Sequence, residues 1–496
     1  MNRPIRRVTI FVGILLLAVV VNLNWVQVIR ADSLKDNSAN RRTTLDEYKR
    51  QRGSIVLQAS GTPIAESVPT KDALMYLRKY GAGPEYSAVT GFNSLYYGNT
   101  GIEAAEDSVL SGSDNRLFVE RLTNLLTGRD VRGGNVLLTI NKQAQDAAWT
   151  ALGGRKGAVV ALDPGTGKIL AAVSSPSFDP NLLSSHSAAG IQAAYKKYNS
   201  DPNNPLENRA FDITFPPGSV FKLVVSAAAL KHGRVPSSRI PAVNAITLPG
   251  THTQLHNFDG EQCADGKTDT LDHALTISCN TAYAQLGMDL GTDTIKQQAA
   301  LFGINDNDFT MPLRVAGSST GPIVDKAALA QSAIGQRDVR VTPLEAAMIS
   351  AAIANHGTLM TPYLVAEEQA PNLSVLSHTD PTVQDQAMTP EQASQLTSMM
   401  VDVVNKGTGT AAQIPNIQVA GKTGTADNGP EKADGTYVNP PHAWFSGFAP
   451  ADNPKIAVAV ILENGGVAGN ETTGGLAAAP VAAAVMKAYL ASIGIK

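Results

Sequence analysis

At 496 residues the chain exceeds the roughly 100–200 residues of a usual domain, so two or more domains are expected. Hydrophobic residues at 43% and charged residues at 17% exclude a disordered, solvating polymer. A net charge of −3, with no Lys/Arg block beyond the extreme N-terminus, excludes nucleic acid as a partner.

Arg3, Arg6 and Arg7 precede the apolar run Val8 to Val21, which Leu23, Trp25, Val26 and Val28 continue. The stretch 8–28 meets the ~20 residues that a bilayer needs, and arginines before it place the N-terminus inside. Residues 1–7 are thus expected as a cytoplasmic tail, 8–28 as a single-pass transmembrane signal anchor, and the rest outside the cell membrane. A cleaved signal peptide is the competing reading, but no small-x-small cleavage site follows the run.

Residues 31–155 are polar with short apolar runs such as 53–57 and 135–140, which suits a mixed linker or pedestal domain. Gln143 to Leu152 predicts a short helix ended by Gly153 and Gly154. The runs 157–162 and 168–173 around the turn Asp163 to Gly167 predict a hairpin that opens a sheet in a second domain, 156–491. Ala-rich helical stretches follow at Val220–Leu230 and Leu344–Ala354, then strands at His442–Ala449 and Ile456–Leu462 and an Ala-rich helix at Leu476–Leu490. This order implies an α+β domain whose sheet is closed by its first and last segments, with a helical region between. Cys263 and Cys279 fit neither a four-ligand zinc site nor a CxxC redox motif, and leave room for one short-loop disulfide.

The segment Phe215-Pro216-Pro217-Gly218-Ser219-Val220-Phe221-Lys222 carries the chemistry. Two prolines and a glycine stop one element and a helix starts after them, so Ser219 sits in a first turn with Lys222 on the same face. A serine hydroxyl becomes nucleophilic when an adjacent base takes its proton, and a lysine with a depressed pKa is such a base. Ser-x-x-Lys alone is a common accident. Ser278-Cys279-Asn280 and Lys422-Thr423-Gly424 follow it, giving Ser-x-x-Lys, Ser-x-Asn and Lys-Thr-Gly in that order. Taken singly, Ser278 and Asn280 read as caps of a helix starting near Thr281, and Lys422 as a solvated strand end. His256, His273 and His442 show no HExxH spacing, and no metal or cofactor is implied.

The ordered trio resembles that of the class B penicillin-binding proteins, as do Arg52-Gly53-Ser54-Ile55, the hairpin region 157–180, Ala333-Ile334-Gly335-Gln336 with Val341-Thr342-Pro343-Leu344, and residues 443–449. The resemblance implies a penicillin-binding/β-lactamase-like domain, an antiparallel sheet flanked by helices plus an all-helical region, preceded by a mixed linker or dimerisation-type domain. It implies that Ser219 acylates on D-Ala-D-Ala stem peptides, with Lys222 as base, Ser278 as proton relay, and Asn280 holding Lys222 and substrate. Lys422 would draw the substrate carboxylate and disfavour protonation of Lys222, while Thr423 and Thr425 bind that carboxylate. Gly424 would let the substrate backbone approach, and the amides of Ser219 and Thr425 would bind the oxyanion. Against this family background Cys279 is a departure within the middle motif, and a Cys263–Cys279 disulfide beside the site is predicted. Expected partners are peptidoglycan stem peptides, β-lactams, a membrane glycosyltransferase and division proteins. Glu106-Asp107 superficially matches the acidic motif of a class A glycosyltransferase without its neighbouring aromatic and histidine, and is expected as a surface turn. The rival readings are a D,D-carboxypeptidase, a β-lactamase, and a non-catalytic β-lactam-binding division scaffold.

Overall fold

The computed structural model describes residues 3–30, 48–128, 130–304, 307, 309–431, 437–465 and 473–495. Residues 1 and 2 of the expected tail and 31–47 of the expected pedestal lie outside the described residues.

Helix α1 (Arg3–Asn24), continued by a π turn to Ile29, is apolar and exposed, and is long enough to cross a membrane. In chain order β1 (Ile55–Leu57), β2 (Thr62–Pro69), β3 (Tyr76–Tyr80) and β4 (Asn135–Leu138) follow, then α2 (Lys142–Leu152), β5 (Gly157–Leu162) and β6 (Ile169–Ser175). The middle of the chain supplies α3 (Lys222–Lys231), α4 (Asn280–Leu290), α5 (Pro343–Ala354), β7 (Val365–Gln369), β8 (Val375–His378) and α6 (Pro390–Lys406). Strands β9 (Ala420–Glu431), β10 (Tyr437–Ala449) and β11 (Ile456–Leu462) and helix α7 (Ala479–Ser492) end it.

A five-stranded antiparallel sheet, ordered β9-β10-β11-β5-β6, forms the centre of the larger unit. Strands β5 and β11 are buried along their whole length because both faces are covered. The two-residue period of the strand still sorts the side chains. Ala158, Val160, Leu162, Ala457, Ala459 and Ile461 enter one core layer, and Val159, Ala161, Val458 and Val460 the other. Helix α5 packs on the first face, and α2 with α7 on the second. All twelve residues of α5 are buried, as an all-round apolar helix requires, and a capping box of Thr342 with Glu345 fixes its start. Helix α7 and the short turn before it are apolar enough to span a membrane, but they are packed against the sheet and α2. Asn141 caps α2, and Gly153 ends it in the left-handed conformation.

The N-terminal unit is built on a six-stranded sheet ordered β8-β7-β4-β1-β2-β3, in which only the β1–β4 pair is parallel. Its last two strands come from residues 365–378, far downstream. One hydrophobic cluster accordingly runs from Ile55 and Leu138 through Val160 to Leu344. The expected surface turn at Glu106-Asp107 needs correcting: Glu106 is a half-buried turn between two short helices, and Asp107 opens the second and accepts from Arg52 Nη1 at 2.7 Å.

Candidate active site

Ser219 lies on the 3-10 turn Gly218–Phe221, and Lys222 begins α3. In a 3-10 turn residues i and i+3 eclipse, so the two side chains stack more directly than on the expected α-helical turn. The chain is pinned just ahead of them. Phe215 exchanges two backbone hydrogen bonds with Val341, both 2.9 Å, Trp444 Nε1 donates to Pro216 O at 3.0 Å, and Gly218 N donates to Gly335 O at 3.0 Å. Gly218 has φ +52°, and a Cβ there would sit 2.6 Å from the Thr425 carbonyl oxygen, so glycine is required where the turn meets β9.

Lys222 is fully buried. Its Nζ donates to Ser278 O at 2.7 Å, to Asn280 Oδ1 at 2.7 Å and to Ser278 Oγ at 3.2 Å, and stands 5.4 Å from the Tyr283 ring centre. Burial holds its pKa well below the ordinary lysine range, and the positive charge of Lys422 adds to the effect. Helix α4 does start at Asn280, but Cys279 is its N-cap and the Cys279 side chain makes no capping hydrogen bond. Asn280 instead accepts from Lys222 and donates from Nδ2 to His256 O at 3.3 Å, so the capping reading of this motif fails. Ser278 holds φ +63°, an uncommon conformation for a serine that presents both its carbonyl and its hydroxyl to Lys222.

Lys422 is also fully buried, which rules out a solvated strand end. Its Nζ donates to Thr423 O at 3.0 Å, and burial pushes its pKa down to about 7. Among the described residues neither ammonium has a carboxylate partner. Strand β9 is the edge of its sheet. Thr423, Thr425 and Asp427 alternate along it into a cleft of about 860 Å³, whose walls also carry Ser219, Ser278 and Asn280. Thr408 Oγ1 is bonded to Thr423 Oγ1 at 2.6 Å, and Gln336 Nε2 donates to Asp427 at 3.2 Å. Gly424 faces the other way. A Cβ there would lie 2.8 Å from Pro217 O and 2.9 Å from Trp444 Cβ, so its small size lets β9 pack on the Ser219 turn, where a close substrate approach was expected.

Cys263 and Cys279 are bonded to each other and buried. The bridge ties the small hairpin region ahead of α4 to the residue between Ser278 and Asn280. Asn257 Oδ1 reinforces the junction by accepting from Thr281 N at 3.0 Å and Thr281 Oγ1 at 3.1 Å. Sequence reasoning missed Asn257, Thr408 and Tyr283. None of them belongs to a motif, and only Tyr283, one helical turn past Cys279, had a placement that could have suggested a role.

A half-buried serine one turn from a fully buried lysine, a Ser-x-Asn corner and a lysine-bearing edge strand around one cleft define the class: the chain belongs to the penicillin-binding protein transpeptidase family, in its class B branch. Residues 157–487 match the penicillin binding protein transpeptidase domain, and residues 52–136 match the penicillin binding protein A dimerisation domain. Among individual proteins, the chain is similar to peptidoglycan D,D-transpeptidase PbpA of Mycolicibacterium smegmatis, 46% identical over 495 residues that cover 99% of both chains. PbpA of Mycobacterium tuberculosis matches at the same identity and coverage. The structure of penicillin-binding protein A from M. tuberculosis as a ceftriaxone acyl-enzyme superposes with TM-score 0.86 at 47% identity, covering 90% of this chain and all of that one.

Proposed function

We propose that this chain is a membrane-anchored peptidoglycan D,D-transpeptidase whose nucleophile is Ser219, and that β-lactams acylate the same hydroxyl. The observation that carries the reading is Lys222, a buried amine beside a second buried cation, with no carboxylate among the described residues to neutralise either. A neutral amine keeps two N–H bonds. Ser278 O and Asn280 Oδ1, the two nearest acceptors, take both, and the lone pair is left for a hydroxyl proton. Lys222 then removes the Ser219 proton as the oxygen attacks the carbonyl between the two terminal D-alanines. The backbone N–H groups of Ser219 and Thr425 hold the tetrahedral oxyanion. Ser278 Oγ, 3.2 Å from Lys222 Nζ, passes the proton to the departing D-alanine nitrogen.

The leaving group's carboxylate is held by the Thr423 and Thr425 hydroxyls that line the cleft, with the charge of buried Lys422 behind them. The stem peptide adds along the open edge of β9 as an extra strand. A second stem's amine attacks the acyl-enzyme carbonyl by the reverse proton path, forms the cross-link and frees Ser219. Water in place of that amine gives the D,D-carboxypeptidase reaction, the second reading. A division-linked role beside a membrane glycosyltransferase, with residues 1–7 cytoplasmic and the cleft outside, completes the proposal.

The test is intact mass of the full chain in nonionic detergent after incubation with a labelled penicillin. A persistent one-equivalent adduct that Ser219→Ala abolishes is expected. No adduct on the wild type would leave a non-catalytic scaffold, and an adduct lost within minutes would indicate a β-lactamase. Supplying a stem-peptide donor with and without an amine acceptor then separates transfer from hydrolysis.

A further inference from the structure

The N-terminal unit contains a charged centre that takes no part in the acyl transfer. Glu103, fully buried on the helix 101–105, accepts from Arg52 Nε and from Arg78 Nε on β3, each at 2.6 Å, and from Tyr80 Oη at 3.1 Å. Arg52 continues to Asp107 Oδ1 at 2.7 Å, and Arg78 Nη1 donates to Gly53 O at 2.6 Å. The two guanidiniums outweigh the burial of Glu103 and keep it ionised.

That network leaves something over. Arg78 is only 4% exposed and Ser94, on a short neighbouring strand, only 3%. Among the described residues Arg78 Nη2 and Ser94 Oγ are buried without a hydrogen-bond partner, an arrangement that is costly for a guanidinium. Both residues line one pocket of about 190 Å³, and Arg50, Arg52 and Asp107 line it with them. Arg50 is exposed at its rim. The charges of Arg50, Arg52 and Arg78 against Glu103 and Asp107 leave a surplus of one positive charge (three minus two) for whatever enters. The available donors stand on three separate elements: the segment ahead of β1, β3, and the strand 93–94. Donors spread over three elements suit a tetrahedral group better than the flat carboxylate that one coplanar fork would grip.

We propose that this pocket binds a singly charged oxyanion of the phosphodiester class, with Arg78 Nη2 and Ser94 Oγ donating from its floor and Arg50 closing over it. The chain between the membrane helix and Tyr48 can span at most about 65 Å. Membrane lipid headgroups and soluble phosphodiesters are therefore both sources of the same chemistry.

Arg78 also holds Glu103, so replacing it would disturb the fold. Ser94→Ala and Arg50→Gln each remove one donor at the pocket and leave the Glu103 network intact. The probe is glycerophosphoglycerol, a lipid headgroup phosphodiester without acyl chains, titrated calorimetrically into the full chain in nonionic detergent, with folding read separately from melting curves. One saturable site per chain is expected, weakened about tenfold in each variant. No saturable binding to the wild type, or equal affinity in both folded variants, overturns the proposal: the first would mean that water alone meets Arg78 and Ser94, the second that the ligand sits elsewhere. Repeating the titration in micelles doped with phosphatidylglycerol names the source. Displacement of the probe upholds the site as a membrane-lipid contact, and undiminished probe binding upholds it as a site for a soluble ligand.

Discussion

Replacing Lys422 with methionine should make the protein more stable and less active, with a pH dependence that identifies the cause. The side chain is fully buried, lacks a carboxylate partner among the described residues, and has its pKa pushed down to about 7 by burial. In the unfolded chain a lysine titrates near 10.4, so at ~1.4 kcal/mol per pH unit the charged form destabilises the fold by about 5 kcal/mol. Because the folded pKa is the lower one, the unfolded state holds the extra proton between about pH 7 and pH 10. The wild type therefore gains stability as pH rises through that window, and carries the whole penalty below it. Methionine matches the volume and loses only the bond to Thr423 O, worth about 1 kcal/mol. The variant should be more stable by about 4 kcal/mol at pH 6 and by about 1 kcal/mol at pH 9. Raised acids elsewhere, such as Glu345 at about 7, tilt stability the other way but cancel in the comparison. Denaturant melts of both proteins at the two pH values give the numbers. Penicillin acylation should slow, with its pH profile moved upward because Lys222 has lost a repelling neighbour. A variant that melts below wild type at both pH values, or with the same advantage at both, would refute the reasoning.

Asn280→Asp places a carboxylate 2.7 Å from Lys222 Nζ, so acylation at pH 7 should fall about 10–100-fold, and its pH profile should move up by about 1–3 pH units in stopped-flow labelling. Gly424→Ala drives a methyl against Pro217 O and Trp444 Cβ, and should cost about 1–3 kcal/mol in a denaturant melt while slowing acylation. Reducing the Cys263–Cys279 bridge, or replacing both cysteines with serine, should cost about 3 kcal/mol and lower the acylation rate, read by melting and labelling with and without reductant.

The central sheet was readable because burial on both faces turns β5 and β11 into short apolar runs, and Gly153 marks the end of α2 by backbone chemistry that shows in a single residue. The start of β10 was not readable. The strand begins at Tyr437 where His442 was expected, since Asn439-Pro440-Pro441 carries loop composition in a part of the strand that pairs with β9 outside the core. The order of the three motifs brought Ser219, Lys222, Ser278, Asn280 and Lys422 together on paper. It said nothing of the 3-10 turn, which depends on the contacts of Phe215, Pro216 and Gly218 with segments over a hundred residues away. Nor did it show which side of β9 Gly424 occupies, because alternation fixes two faces without saying which is the cleft.

The N-terminal sheet borrows β7 and β8 from the stretch between the Asn280 and Lys422 motifs. A chain made from its N-terminus presents β1 to β4 long before residues 365–378 arrive, so β4 must wait with one edge open. The pedestal, the first unit to be begun, thus stays unfinished until more than half of the catalytic unit has been made, and the catalytic unit acts as the clamp that closes its own support. Expressed without that clamp, the pedestal would carry an open strand edge ready to pair with another chain.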